Sequence, residues 1–342
     1  MSEENRRSDR RADPGADRVV LGIVLIVGAV FAMSLQDALI KYASTDMSLW
    51  QIYVLRALAA FPALLWLARR GARRGGPDLN AMPSRWAWLR AGCLVAMYVA
   101  MYAAIPVLSL SVIAAAFYTG PLFITLLSAP VLGERVGARG WLAVLLGFSG
   151  VAVMLRPGGE AFAPLALLPV LSGFFYALAA ILTRAKCRSQ SAAALAFALN
   201  GALLAAGLLA SLVLALLRPG GDLLRAAPFL LGGWAPMGAP DWALILFLAA
   251  LIVFIGLGLA AAYQAATPSL IATFDYSYLV FAAFWGWALF ADLPDAPTLA
   301  GMAMIAGAGL LAIRRRPAGA PGPALRSRKE SGSRREATCR SE

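Results

Sequence analysis

The sequence predicts an all-α membrane protein, with ten transmembrane helices arranged as two inverted five-helix repeats. Three observations carry that expectation. Apolar runs of spanning length recur along the chain, basic residues gather on alternate connections, and the two halves of the chain are weakly self-similar. The composition agrees: of 342 residues, 61% are hydrophobic and 14% charged, whereas a soluble domain has roughly half apolar residues and about a quarter charged.

A hydrocarbon core of about 30 Å needs about 20 apolar helical residues. Ten stretches qualify fully or nearly: 19–41, 49–68, 86–107, 110–131, 139–155, 163–184, 191–216, 242–264, 267–290 and 297–313. The connections between spans 3 and 4, and between spans 8 and 9, are very short. An Arg-rich stretch precedes the first run, but that run is longer than the apolar region of a leader peptide and contains Asp37 and Lys41. It reads as a retained first helix. The longest outer connection, roughly 217–241, is rich in Gly and Pro and carries Phe229 and Trp234. It reads as an interfacial loop anchored by Trp, with a lid as the alternative.

Charge placement orients the spans. Arg6, Arg7, Arg10, Arg11 and Arg18 precede span 1, and Arg69, Arg70, Arg73, Arg74 and Arg85 surround the next inner connection. Arg135 and Arg139 follow span 4, Arg184, Lys186 and Arg188 follow span 6, and nine basic residues follow span 10. Only Lys41, Arg156, Arg218 and Arg225 fall on the opposite side. This positive-inside pattern puts both termini in the cytoplasm. The basic segments 1–18 and 316–342 read as disordered, orientation-setting tails rather than nucleic-acid binders. Between them, 19–157 and 158–315 form the two five-helix units.

Several chemistries have no residues to support them. The chain has no histidine, and its three cysteines, Cys93, Cys187 and Cys339, lack metal-ligand spacing. No Gly-rich phosphate loop precedes a helix. Neither a metal site nor a cofactor is expected, and an enzyme is not the expected class.

The repeat is the most informative feature. Laying Ser111–Glu134 over Ser269–Asp292 aligns Ser111 with Ser269, Ile113 with Ile271, Ala114 with Ala272, Tyr118 with Tyr276, Phe123 with Phe281 and Glu134 with Asp292, without a gap. Span 1 over span 6 aligns Gly28, Ala32 and Lys41 with Gly173, Ala177 and Lys186. A five-helix unit repeated in tandem must insert in opposite orientations, an architecture common in secondary transporters with a substrate site near the midplane.

The chain resembles the drug/metabolite transporter superfamily, and its halves look like EamA-type repeats. The resemblance rests on SVIAAAFYTGPLFITLLSAPVLGERV and GFSGVAVMLRPG in the first half, and on YSYLVFAAFWGWALFADLPD and LAGMAMIAGAGLLAIRR in the second. It covers roughly 19–315. Two departures occur: Asp292 stands where the family pattern usually has Glu, and Leu279 stands opposite Pro121. The stretch QDALIKYASTDMSLWQIYVLRAL is similar to the branch containing S-adenosylmethionine and riboflavin importers.

Ionisable residues within membrane helices cost about 2.5–3.5 kcal/mol on insertion scales, so they face the interior or a cavity. Asp37 and Lys41 lie at i, i+4 and read either as a self-neutralising pair or as an outer gate and charge sensor. Arg56 needs a partner from another helix, with Asp37 the nearest guess, or takes a substrate carboxylate. Asp275 breaks the repeat, its counterpart being Phe117, and is the sharpest candidate for coupling or for a substrate amine. Tyr98, Tyr102, Tyr118, Tyr276 and Tyr278 are candidate cavity residues, with Tyr176, Tyr263, Trp285 and Trp287 as further aromatics. Gly120 and Pro121 are a candidate helix break beside Tyr118.

The expected function is alternating-access transport of a small organic metabolite, coupled to protons or running as exchange, with the five-helix halves rocking around an aromatic cavity. The alternatives are a membrane scaffold or regulator without flux, and a membrane enzyme. Expected partners are a small-molecule metabolite and membrane lipids, with no nucleic acid. A homodimer is carried as a candidate assembly, and the bacterial inner membrane as the location.

Overall fold

The computed structural model describes residues 14–73, 83–132, 137–156, 164–187, 190, 192–265 and 274–313. Glu134 and the tails, apart from residues 14–18, lie outside this set.

The described residues are helical, with no strand among them. The helices are α1 (Pro14–Ala43), α2 (Leu49–Arg73), α3 (Arg85–Ala104), α4 (Leu110–Phe117), α5 (Gly120–Leu132), α6 (Ala138–Leu155), α7 (Leu167–Lys186), α8 (Ala192–Leu217), α9 (Gly221–Ala226), α10 (Pro228–Leu231), α11 (Ala239–Ala265), α12 (Ser277–Phe290) and α13 (Ala296–Ile313). Seven helical stretches among the described residues are long and apolar enough to cross a bilayer. Gly140–Leu155, Ser277–Phe290 and Ala296–Leu311 are apolar but shorter. Leu208, Leu209, Leu212, Leu216 and Leu217 of α8 are all exposed. Such a face is a liability in water, whereas in hydrocarbon it is the solvated surface of a helix whose backbone is satisfied internally. The chain is an integral membrane protein.

Span 4, expected as one helix over 110–131, is two. α4 ends at Phe117, and α5 starts at Gly120, with Tyr118 at φ −71°, ψ 7° between them. Pro121 lacks an N–H, so it fits the first turn of α5 and cannot continue α4. The second half has the same discontinuity at the repeat-equivalent tyrosine: Phe274 and Asp275 are helical, Tyr276 turns at φ −62°, ψ −13°, and α12 begins at Ser277. Leu279 replaces proline there, so proline is not what breaks α12.

The extensive helix packing joins one half of the chain to the other. α1 packs on α11 and α12, α2 on α8 and α11, α3 on α7 and α8, and α7 on α4 and α5, while α4 also meets α12. These contacts close a circuit, α1–α11–α2–α8–α3–α7–α4/α5–α12 and back to α1. α6 and α13 form a separate pair beside it. Glycine allows that pair to close: a Cβ at Gly150 would lie 2.9 Å from the Gly301 carbonyl oxygen, and one at Gly301 2.6 Å from that of Gly150. Small residues at such crossings let helix backbones approach in membranes.

The connections around 217–241 and before α13 are pinned. Gln51 at the start of α2 donates from Nε2 to the Ala235 carbonyl at 3.0 Å and accepts from the Ala235 N–H at 2.9 Å. The Trp50 indole donates to the Leu230 carbonyl at 2.7 Å, and that of Trp234 to Ser211 Oγ at 2.9 Å. The 217–241 connection is thus tied down by Trp50 and Gln51 of α2 and by its own Trp234. Asp295 caps α13 by accepting from the Thr298 N–H at 3.0 Å and pairs with Arg156. The Thr298 hydrogen bonds, with Arg156 beside them, hold the Asp295 carboxyl below its ordinary range.

Candidate functional site

Asp37, Arg56 and six tyrosines meet inside the circuit. Asp37 sits on α1 with 4% exposure. Tyr102 of α3 donates to its Oδ1 at 2.9 Å, and Tyr278 of α12 donates to Oδ2 at 2.5 Å. α1 and α3 are not neighbours in the circuit, so this contact crosses the interior. From Tyr102 an aromatic column runs one way to Tyr98, stacked at 5.6 Å, and to Tyr53 at 6.3 Å. From Tyr278 it runs the other way to Tyr118, stacked at 5.3 Å, and then to Tyr276 at 5.2 Å.

The helix breaks supply the far end. Ending a helix frees carbonyls that must be satisfied within the membrane. The Tyr118 hydroxyl donates to the Asp275 carbonyl at 2.9 Å, so the break in one half serves the break in the other. Two glycines admit this packing. A Cβ at Gly173 would meet the Phe117 carbonyl oxygen at 2.8 Å, and one at Gly309 would meet the Tyr276 hydroxyl at 1.8 Å.

Two expected pairings are corrected. Lys41 does not neutralise Asp37. Its Nζ lies 3.0 Å from Asp292 Oδ2, donates to the Leu108 carbonyl at 2.9 Å, and sits 4.8 Å from the Phe290 ring centroid. The reason is local: α12 ends in a left-handed Ala291, φ 54°, and the Asp292 N–H returns to the Gly286 carbonyl at 3.0 Å, presenting Asp292 beside the end of α1. Nor does Asp37 hydrogen-bond Arg56. Neither Arg56 Nη1 nor Nη2 has a hydrogen-bond partner among the described residues, although Arg56 is 1% exposed. Its guanidinium lies 5.8 Å from the Tyr53 ring centroid and 6.0 Å from that of Tyr98.

The remaining aromatics are not part of the column in one piece. Trp287 is exposed, and Tyr176 packs on Phe117 at the edge of exposure. Trp285 lies beside Phe31, and the Tyr263 side chain lies outside the described residues. Sequence reasoning missed Tyr53, Gly309 and the role of Asp292. Tyr53 was findable, since it stands three residues before Arg56 on the same helical face.

The EamA-like transporter family profile matches residues 20–156. The pseudopaline exporter CntI of Pseudomonas aeruginosa strain UCBPP-PA14 is 26% identical, aligned over 84% of this chain and 94% of its own length. The riboflavin transporter of Rhizobium johnstonii is 29% identical over 87% of this chain and 92% of its own. The S-adenosylmethionine uptake transporter of Rickettsia prowazekii is 22% identical over 85% and 92%. A crystal structure of a protein 18% identical superposes with a TM-score of 0.50, covering 87% of this chain and 96% of that one, a likeness of fold alone. By the match over 20–156 and these relatives of comparable length, the chain is similar to EamA-like transporters.

Proposed function

We propose that this chain is a secondary transporter that moves a small organic metabolite by alternating access through the interior of the helix circuit. The observation that carries the reading is the exchange symmetry of the packing. Exchange α1 with α7, α2 with α8, α3 with α11, α4/α5 with α12 and α6 with α13. The pair α1·α11 becomes α7·α3, α1·α12 becomes α7·α4/α5, and α2·α11 becomes α8·α3. The pairs α2·α8, α4·α12 and α6·α13 map onto themselves. An exchange of five-helix units that preserves these pairs, though not α5·α6 and α4·α13, supports ten crossings in two inverted repeats, 19–157 and 158–315. The three shorter helices count among those crossings. Inverted repeats place the substrate between them near the midplane, and the Asp37, Arg56 and tyrosine cluster lies inside the circuit, between elements of both repeats.

The moving bodies are not the sequence halves, because those halves pack on each other rather than within themselves. The symmetric division is α1, α2, α11 and α12 against α3, α4/α5, α7 and α8. Tyr102 to Asp37 and Tyr118 to Asp275 cross that division inside it, and Lys41 to the Leu108 carbonyl crosses it at the outer end. This arrangement corresponds to a transporter closed toward the outside. The basic connections support cytoplasmic termini in a bacterial inner membrane.

Purified protein in liposomes, screened against a metabolite panel with and without a proton gradient, tests the reading. Net flux or exchange of at least one solute is expected, and no flux of any solute would leave the scaffold reading in its place. Asp275→Asn is expected to flatten the pH dependence of that flux, and an unchanged profile removes Asp275 from coupling.

A further inference from the structure

Among the described residues, Asp37 and Arg56 inside the circuit share no hydrogen bond. Asp37 is held by two tyrosine hydroxyls, and Lys41 is engaged at the outer end by Asp292 and Leu108. Arg56 is left. It is among the most buried large side chains of the protein, and both terminal nitrogens lack a hydrogen-bond partner among the described residues. A guanidinium keeps its charge in a protein, and a buried charge without hydrogen bonds is costly. The Tyr53 hydroxyl, on the same helix, is also buried with no hydrogen-bond partner among the described residues. Tyr98 reaches the guanidinium from α3, which is separated from α2 by α8 in the circuit, so Arg56 faces the interior and not a helix seam.

We infer that Arg56 is the anchor for a carboxylate of the transported solute, with Tyr53 and Tyr98 walling the site and the Tyr53 hydroxyl as a further donor. The inference rests on the transport reading and narrows it to small organic monocarboxylates. Two guanidinium N–H groups meet a carboxylate bidentately, at the geometry that satisfies both bare nitrogens. A single negative charge suits the site better than a phosphate dianion, because Asp37 already places one carboxylate inside the circuit. Lys41 is committed elsewhere, and Arg90 donates from Nε to Thr183 Oγ1 at 2.6 Å.

The test uses full-length protein, with binding read by thermal shift in detergent and flux read in proteoliposomes. S-adenosylmethionine and tryptophan serve as carboxylate probes, and tryptophanamide and riboflavin as probes without a carboxylate. Wild type is expected to bind tryptophan more tightly than tryptophanamide. Arg56→Gln is expected to weaken binding of the carboxylate probes about tenfold or more, as loss of a charged hydrogen-bond pair implies, and to leave the other probes unaffected. Arg56→Lys keeps the charge without the planar fork and is expected to fall between them. It decides the matter if Arg56→Gln does not elute as a folded species. Equal binding of tryptophan and tryptophanamide, no binding of either carboxylate, or carboxylate binding insensitive to Arg56 substitution overturns the inference. Carboxylate binding that depends on Arg56 without any flux leaves the anchor standing and defeats the transport reading. Flux of riboflavin alone, insensitive to Arg56, does the reverse.

Discussion

Asp37 illustrates why single buried residues carry so much consequence in a membrane interior. Its two oxygens accept from two hydroxyls delivered by α3 and α12, so the carboxylate ties three helices together. Tyr102→Phe and Tyr278→Phe each strip one donor from a buried carboxylate, at a cost of about 1–3 kcal/mol. Both are expected to lower the unfolding temperature in detergent, and the double variant is expected to depart from additivity because both donors serve one acceptor group. Strictly additive losses would mean that the two hydroxyls act independently. Asp37 and the tyrosines could be picked from the sequence because ionisable and aromatic residues are conspicuous in apolar helices. Their partners could not, since Tyr102 lies 65 positions from Asp37 and Tyr278 lies 241. Lys41 shows the same limit from the other side: the i, i+4 spacing suggested a pair with Asp37, and the turn after α12 brought a better-placed carboxylate.

At the scale of the element, the two helix breaks stand at repeat-equivalent tyrosines although only one has a nearby proline. Packing therefore maintains the second break. Gly309→Ala tests this, because its methyl would enter the space of the Tyr276 hydroxyl. Overpacking of this kind costs about 1–3 kcal/mol, and because the methyl would also meet ring carbons Cζ and Cε2, Tyr276→Ala, which removes the whole ring, is expected to relieve it in the double variant. No rescue would place the collision elsewhere. The start of α13 offers a second test. Asp295→Ala removes a helix cap worth about 1 kcal/mol, whereas Asp295→Asn keeps the cap and loses only the Arg156 pair, which is exposed and contributes little. Thermal stability is expected to fall for Ala and to hold for Asn. An equal fall for both would make the ion pair the dominant interaction. Because the Asp295 carboxyl is held below its ordinary range, this contribution is complete at neutral pH and fades only in strong acid.

At the scale of the whole molecule, the proposed closure toward the outside depends on the contacts that Lys41 makes at one end of the helix circuit. Lys41 joins α1 both to the turn after α12 and to the connection before α4. Lys41→Ala is expected to raise the population open to the outside. In a background without Cys93, Cys187 and Cys339, an impermeant maleimide added outside is expected to label Ser111→Cys faster when Lys41 is absent. Ser111 is fully buried near the start of α4. An unchanged rate would remove Lys41 from the outer closure.

The sequence by itself determined that the chain lives in a bilayer, roughly where its helices lie, and which residues are costly enough inside a membrane to need a reason for being there. Those properties are local: hydrophobic length and charge can be read along the chain without knowing what packs on what. The weak repeat, likewise, could be read by sliding the chain over itself. Only the tertiary structure decided that the two halves interleave, that Lys41 leaves Asp37 for Asp292, and that Arg56 is buried with both terminal nitrogens lacking a hydrogen-bond partner among the described residues. The physical reason is that apolar helix faces are nearly interchangeable in sequence, so neighbour choice is set by small residues such as Gly150, Gly173, Gly301 and Gly309 that let particular backbones and rings come close. Once those contacts form, the buried polar groups take the partners the packing brings within reach.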